Sequence, residues 1–494
     1  MTATNPLLQA FDLPPYSAIR PEHVEPAVEQ ILADNRVAMS HLLEQQAADP
    51  SWDGLVLALD ELGARLGRAW SPVSHLNAVC NSAELRAAYE ACLPKLSEYW
   101  TEIGQNQPLF QAYQALAESP AAAGFDVAQK TILEHALRDF RLSGIDLPAE
   151  QQKRYGEIQM KLSELASKFS NQLLDATQAW TKHVTDEAAL DGLTDSAKAQ
   201  MKQAAEAKGL DGWLISLEFP SYFAVMTYAN DRALREELYA AYCTRASDQG
   251  PNAGQNDNGP VMQEILALRQ ELAKLLGFGN YAELSLASKM AETTDQVLHF
   301  LRDLAVRSKP FAAQDLEQLK AYAAEQGCPD LQSWDSGFYG EKLREQRYSV
   351  SQEALRAYFP IDKVLGGLFA IVQRLYGIEI AEQKGFDTWH PDVRLFEIKE
   401  NRYRPERTRF VHKGCRGSEG DKPAKDADAV PARFLLACRC MVHRTSWPVA
   451  AMAEHPHHIP TISGSAANPS NTTRYRNGRT TRIPRSRTRP GRSR

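Results

Sequence analysis

The 494-residue chain is poor in the features that most quickly assign a function. It has seven cysteines, at positions 80, 92, 243, 328, 415, 438 and 440. An odd, scattered set of this kind does not form a disulfide framework. No apolar run approaches the roughly 20 residues of a membrane helix. Residues 1–10 have neither the basic n-region nor the apolar h-region of a secretory signal. These absences predict a reduced, cytoplasmic protein with no membrane partner. Signature motifs are missing too: H-E-x-x-H, G-x-S-x-G, G-x-x-x-x-G-K-[ST] and G-x-G-x-x-G do not occur. The sequence therefore assigns no catalytic residue, no cofactor-binding residue and no metal ligand.

What is there reads as a folded protein. Hydrophobic residues make up 43% and charged residues 24% of the chain, which excludes collagen-like and wholly disordered classes. At roughly 100–200 residues per domain, the length predicts two to four domains or one large two-lobed body. The net charge of −6 hides a sharp division. Residues 402–494 hold 20 of the 56 Lys+Arg and 6 of the 62 Asp+Glu, a balance of +14, whereas residues 1–401 stand at −20. Nine of the 27 prolines also lie in that last stretch. The segment ends in Arg474-Tyr475-Arg476 and then Arg482, Arg485, Arg487, Arg489, Arg492 and Arg494. Such a composition buries too little apolar surface to offset its ordering entropy, so residues 401–494 are expected to form a disordered, basic tail.

Residues 1–400 are dominated by helical periodicity. Val24, Val28, Ile31, Asn35, Met39 and Leu42 mark one face of a helix after Pro21. Tyr155, Ile158, Leu162, Leu165, Phe169 and Leu173 mark a second, with Pro148 at its start. Met262, Ile265, Leu268, Leu272 and Leu275 precede Gly277, and Leu365, Leu368, Val372 and Leu375 precede Gly377, each glycine placed as a helix stop. Thr293 and Gln296 predict a capping box ahead of Val297, Leu301 and Leu304. Two segments read as extended: residues 213–219, where Trp213, Ile215, Leu217 and Phe219 alternate with other residues, and residues 393–398. The fold class is mainly α, a large helical body with a small β element.

Isolated candidates for chemistry are given structural readings. His23, His41, His75, His135, His183 and His299 stand alone in sequence, and Glu236-Glu237 lies in a charged helical stretch. Gly277-Phe278-Gly279 is a helix end and turn. Cys438, Cys440, His443, His455, His457 and His458 form the one metal-like cluster. A structural zinc site needs four ligands on an ordered framework. Here the two cysteines are separated by a single residue, and Pro448, Pro456 and Pro460 interrupt the surroundings, so adventitious metal binding is the expectation. The basic tail would attract polyanions through phosphate contacts without specific nucleic-acid recognition, because no aromatic platform accompanies it.

Several scaffold segments carry a resemblance. Pro14-Pro15-Tyr16 with Ile19-Arg20-Pro21-Glu22-His23-Val24, Leu142-Ser143-Gly144-Ile145-Asp146-Leu147 and Lys168-Phe169-Ser170-Asn171-Gln172 are similar to the thimet-oligopeptidase family of zinc metallopeptidases. So are residues 276–285 (Leu-Gly-Phe-Gly-Asn-Tyr-Ala-Glu-Leu-Ser) and 392–398. The resemblance runs from residue 1 to about 400. It implies a mostly helical, two-lobed body with a deep channel for short peptides. It also implies zinc held by H-E-x-x-H and a later glutamate, a metal-activated water, and tyrosine and histidine residues that steady the oxyanion. All those groups are expected beyond residue 398, and no position here matches one.

The resemblance stops at Asn401, where periodicity and charge sign also change. The expectation is that residues 402–494 come from a shifted reading frame. On this reading the chain corresponds to the N-terminal part of the two-lobed fold, lacks the zinc region and is inactive as a peptidase. Helices without their packing partners should leave apolar faces exposed. The alternative is a non-catalytic protein that holds peptides on the helical body and polyanions on the tail.

Overall fold

The computed structural model describes residues 5–400 and the backbone of residues 432–437. The chain opens with α1 (Pro21–Gln46), which buries all six residues of the stripe from Val24 to Leu42. Asn35 is the polar member of that face. Its amide Nδ2 donates to the Leu62 carbonyl at 3.1 Å, which offsets part of the cost of burying it. The next four helices are α2 (Ala58–Val79), α3 (Ala83–Gly104), α4 (Gln107–Glu118) and α5 (Val127–Leu142). The starts of α3, α4 and α5 are set locally by Ser82, Asn106 and Asp126, each accepting a backbone N–H of the first turn. At Asp126 the box is reciprocal, because Gln129 Oε1 accepts the Asp126 N–H at 3.0 Å. Val73, Cys92, Leu109, Leu116 and Phe140 close one continuous core among these helices. Burial there pushes the Cys92 thiol up to about 12.

Beyond this bundle, α6 (Ala149–Ala179) packs on α3 and carries the chain across the body. At 1.5 Å per residue it is about 46 Å long. Its stripe is buried at Tyr155, Ile158 and Leu165 and half-buried at Leu162, Phe169 and Leu173. A second core follows, built on the antiparallel pair β1 (Thr181–Val184) and β2 (Trp213–Ser216), in register Thr181↔Ser216 to Val184↔Trp213. It is covered by α7 (Asp195–Glu206), α8 (Phe219–Tyr228) and α9 (Arg232–Cys243). The alternation through residues 213–219 does form a strand, but that strand ends at Ser216. Pro220 sits in the first turn of α8, where a fixed φ and a missing N–H favour helix initiation, and Phe219 becomes its first residue. Gly212 is required where the chain enters β2 beside the end of β1. It has φ +92°, and a Cβ there would lie 2.3 Å from the Val184 carbonyl oxygen.

The last third comprises α10 (Gly259–Leu275), α11 (Tyr281–Leu286), α12 (Thr294–Glu325), α13 (Ser336–Tyr348), α14 (Gln352–Arg356) and α15 (Ile361–Tyr376). Gly277 and Gly377 follow α10 and α15 with φ of +83° and +67°, as the stop signals predict. Thr293 caps α12, its hydroxyl accepting from Gln296 N–H at 3.1 Å. The return bond of the expected box is displaced by one residue, since Gln296 Oε1 accepts from Glu292.

The chain then enters an antiparallel sheet of order β3 (Ile378–Gln383), β4 (Val393–Glu400), β5 (Ala432–Ala437). β4 is the strand read from the sequence, extended by two residues, whereas β1 and β3 were not anticipated. β5 lies past residue 401, where no ordered element was expected. It carries the apolar run Phe434-Leu435-Leu436 and pairs with β4 in register Val393↔Ala437 to Ile398↔Ala432. The Cys438 to His458 cluster lies outside the described residues, as does the rest of the expected tail. Among the described residues no helix is long and apolar enough to cross a membrane.

Candidate functional site

The last third contains most of the exposed large apolar side chains. Nineteen of the 27 exposed large apolar side chains among the described residues fall between Met290 and Tyr376. The pattern on α15 is regular. Leu365 is buried and Phe369 rests on Phe396 of β4, ring centroids 4.8 Å apart, so one face is spent on the sheet. Ile361, Val364, Leu368, Ile371 and Leu375 occupy a different stripe, spaced three and four residues apart, and stay 42–65% exposed. That spacing is the seam by which one helix packs against another. α12 is more extreme: of its 32 residues only Ala323 is buried. Leu298, Leu301, Leu304 and Phe311 of its N-terminal part face solvent. Of the stripes read from the sequence, Leu301 and Leu304 on α12 and Leu368 and Leu375 on α15 are exposed, as expected, whereas Leu365 is buried and Val297 and Val372 are half-buried.

The uncovered region is anchored by a buried charge network. Leu319, Tyr322 and Ala323 of α12 pack with Cys328, Phe338 and Tyr339. Beside them Asp335, fully buried, accepts hydrogen bonds from Arg235 Nη2 at 2.8 Å, Arg232 Nη2 at 2.8 Å and the Gln332 N–H at 3.1 Å. Arg235, 1% exposed, also donates to the carbonyls of Ala229 and Asn230, and its guanidinium lies 4.1 Å from the Phe338 ring centre. Burial by itself would raise the Asp335 carboxyl. The two arginines outweigh that and hold it below the ordinary carboxylate range. The network joins α9 to α13 and so fixes the base from which α12 projects. At the other end, Arg394 of β4 grips Glu382 of β3 at 2.6 and 2.8 Å and Asp362 of α15 at 3.1 Å, tying helix to sheet. Its hydrogen bonds hold Glu382 below its ordinary value.

Of the six isolated histidines, His23, His75 and His183 make contacts that hold local structure, and His135 on α5 is half-buried. His23 Nδ1 accepts from the Arg20 N–H at the start of α1, and His75 packs edge-on against Trp389 at 4.1 Å. His183 Nε2 is bonded to the Asp211 carbonyl at the β1–β2 pair, at 2.5 Å. His41 lies 3.7 Å from Glu44, and His299 is exposed on α12. Of the Glu236-Glu237 pair, Glu237 forms a surface ion pair with Lys182. Among the described residues no three His, Cys, Asp or Glu side chains come close enough together to hold a metal ion. The zinc implied by the resemblance therefore finds no ligand set there. The Arg235–Asp335 network escaped the sequence reading because its partners are 100 residues apart and share no local pattern.

Comparison with known proteins places these observations. Residues 28–152 match the N-terminal domain of neurolysin and thimet oligopeptidase, and residues 225–411 match peptidase family M3, running past the compositional break. Oligopeptidase A of Salmonella typhimurium is 55% identical over 396 residues, covering 80% of this chain, and that of Escherichia coli is 56% identical over 396 residues with the same coverage. A probable cytosolic oligopeptidase A of Arabidopsis thaliana is 38% identical over 416 residues, covering 82% of this chain. In each case the match spans 58% of the relative's own length. The helical body with its uncovered last third is therefore the N-terminal portion of an oligopeptidase fold, and the chain belongs to peptidase family M3.

Proposed function

We propose that the described residues are the non-catalytic part of a cytoplasmic zinc endopeptidase that degrades short peptides, and that the chain as it stands does not hydrolyse them. The observation that carries this reading is the uncovered stripe on α15 and the bare N-terminal part of α12, surfaces suited to packing against the rest of such an enzyme. The sequence supports it from the other side, since none of its 494 residues forms H-E-x-x-H. Without that pair of histidines and their glutamate, the groups by which this family holds a Lewis acid and takes the proton of an attacking water are missing from the sequence. Residues 402–494, with a charge balance opposite to that of the body, are the product of a shifted frame.

The test is direct. Resequencing the gene and restoring one base near codon 401 should open a frame encoding H-E-x-x-H, and the resulting protein should cleave short peptides in a chelator-sensitive manner. Peptide hydrolysis by the present chain, with tightly bound zinc in stoichiometric amount, would refute the reading. A second reading, a non-catalytic binder of peptides and polyanions, is favoured by the +14 balance of residues 402–494. It requires salt-sensitive DNA binding that disappears when those residues are deleted.

A further inference from the structure

We propose that the exposed faces of α15 and α12 form an assembly surface whose occupant is a separate polypeptide: the part of an M3 peptidase that lies beyond the matched stretch. On this view the active unit can be built from two chains. The inference rests on the family reading above.

Three observations select this occupant. The exposed seam of Ile361, Val364, Leu368, Ile371 and Leu375 has the spacing of a helix-packing face, whereas a solvated helix carries charge there. The match to peptidase family M3 ends at residue 411, shortly after β4, and Phe396 of β4 packs on Phe369 of α15. The continuation of a relative's chain thus begins at the sheet on which α15 rests. The length of relative left unmatched is large, because the match spans only 58% of it. The base of the surface is preformed, with the Arg235–Asp335 pair fixing α9 to α13 and Arg394 fixing α15 to the sheet. Association therefore does not need to fold the body first, which limits its ordering cost.

The experiment co-expresses the full 494-residue chain with a fragment of the Salmonella typhimurium oligopeptidase A that begins where the match ends. A third protein joins residues 1–400 to that fragment in one chain. The expected result is a one-to-one complex on size exclusion, with chelator-sensitive peptide hydrolysis that neither chain has alone. Leu368→Asp and Ile371→Asp, both at exposed positions, should weaken assembly at least tenfold while leaving the far-UV circular dichroism and Tm of the isolated chain unchanged. Failure of the two chains to associate while the joined protein is active overturns the inference and leaves the family reading intact. An inert joined protein overturns both. Self-association of the 494-residue chain through the same positions, excluding the fragment, overturns it in favour of a homodimer.

Discussion

Replacing Asp335 by asparagine tests the energetics that hold the last third of the molecule to the rest. Arg235 is 1% exposed, and its ionic partner is Asp335 at 2.8 Å. The asparagine keeps the volume and one acceptor oxygen but loses the charge, and its NH2 group has no use for an arginine donor. Removing one member of a buried pair leaves the other charged and desolvated, which costs about 3–5 kcal/mol. The remaining bonds of Arg235, to the Ala229 and Asn230 carbonyls, are neutral and do not replace a carboxylate. With a urea m value of about 3 kcal/mol/M, the midpoint should fall by roughly 1–2 M. The assay is urea unfolding followed by tryptophan fluorescence, for which Trp334 adjoins the network, and in parallel by circular dichroism. The double variant Arg235→Met with Asp335→Leu removes both charges and should recover to within about 1–2 kcal/mol of the parent. A loss under 1 kcal/mol in Asp335→Asn, or a double variant as unstable as the two single changes summed, would show that this pair does not anchor α9 to α13.

Acid should act through the same group. Its native pKa lies below the unfolded value, so its contribution is complete above the ordinary carboxylate range and disappears as pH falls through the depressed native value. Melting curves from pH 7 to pH 3 should therefore fall more steeply for the parent than for Asp335→Asn, and parallel curves would contradict this. Gly212→Ala places a Cβ against the Val184 carbonyl at positive φ, and a loss of about 1–3 kcal/mol is expected, read as a lower Tm. Leu116→Ala, in the closed N-terminal core, should cost about 2–5 kcal/mol, whereas Leu301→Ala on the bare part of α12 should stay within about 0.5 kcal/mol. Equal losses at the two leucines would mean that α12 is covered after all.

Much of this protein was settled by local chemistry that a sequence displays. The stripe from Val24 to Leu42 became the buried face of α1, Gly277 and Gly377 ended their helices, and the strand at residues 393–398 formed. Periodicity and capping involve neighbours within a turn or two, so they need no knowledge of the rest of the chain. The same periodicity marked apolar stripes on α12 and α15 but carried no information about what covers them. Burial is a property of two surfaces, and only the tertiary structure distinguishes the closed core around Leu109 from the open seam at Leu368. β3 escaped because its alternation is confined to Ile378 and Ile380 and is lost at Glu382. The pairing of Arg235 with Asp335 depended on the approach of α9 and α13 across 100 residues of chain, which no local pattern encodes. Sequence fixed the helices one at a time; their packing decided which charges are buried and which apolar faces still await a partner.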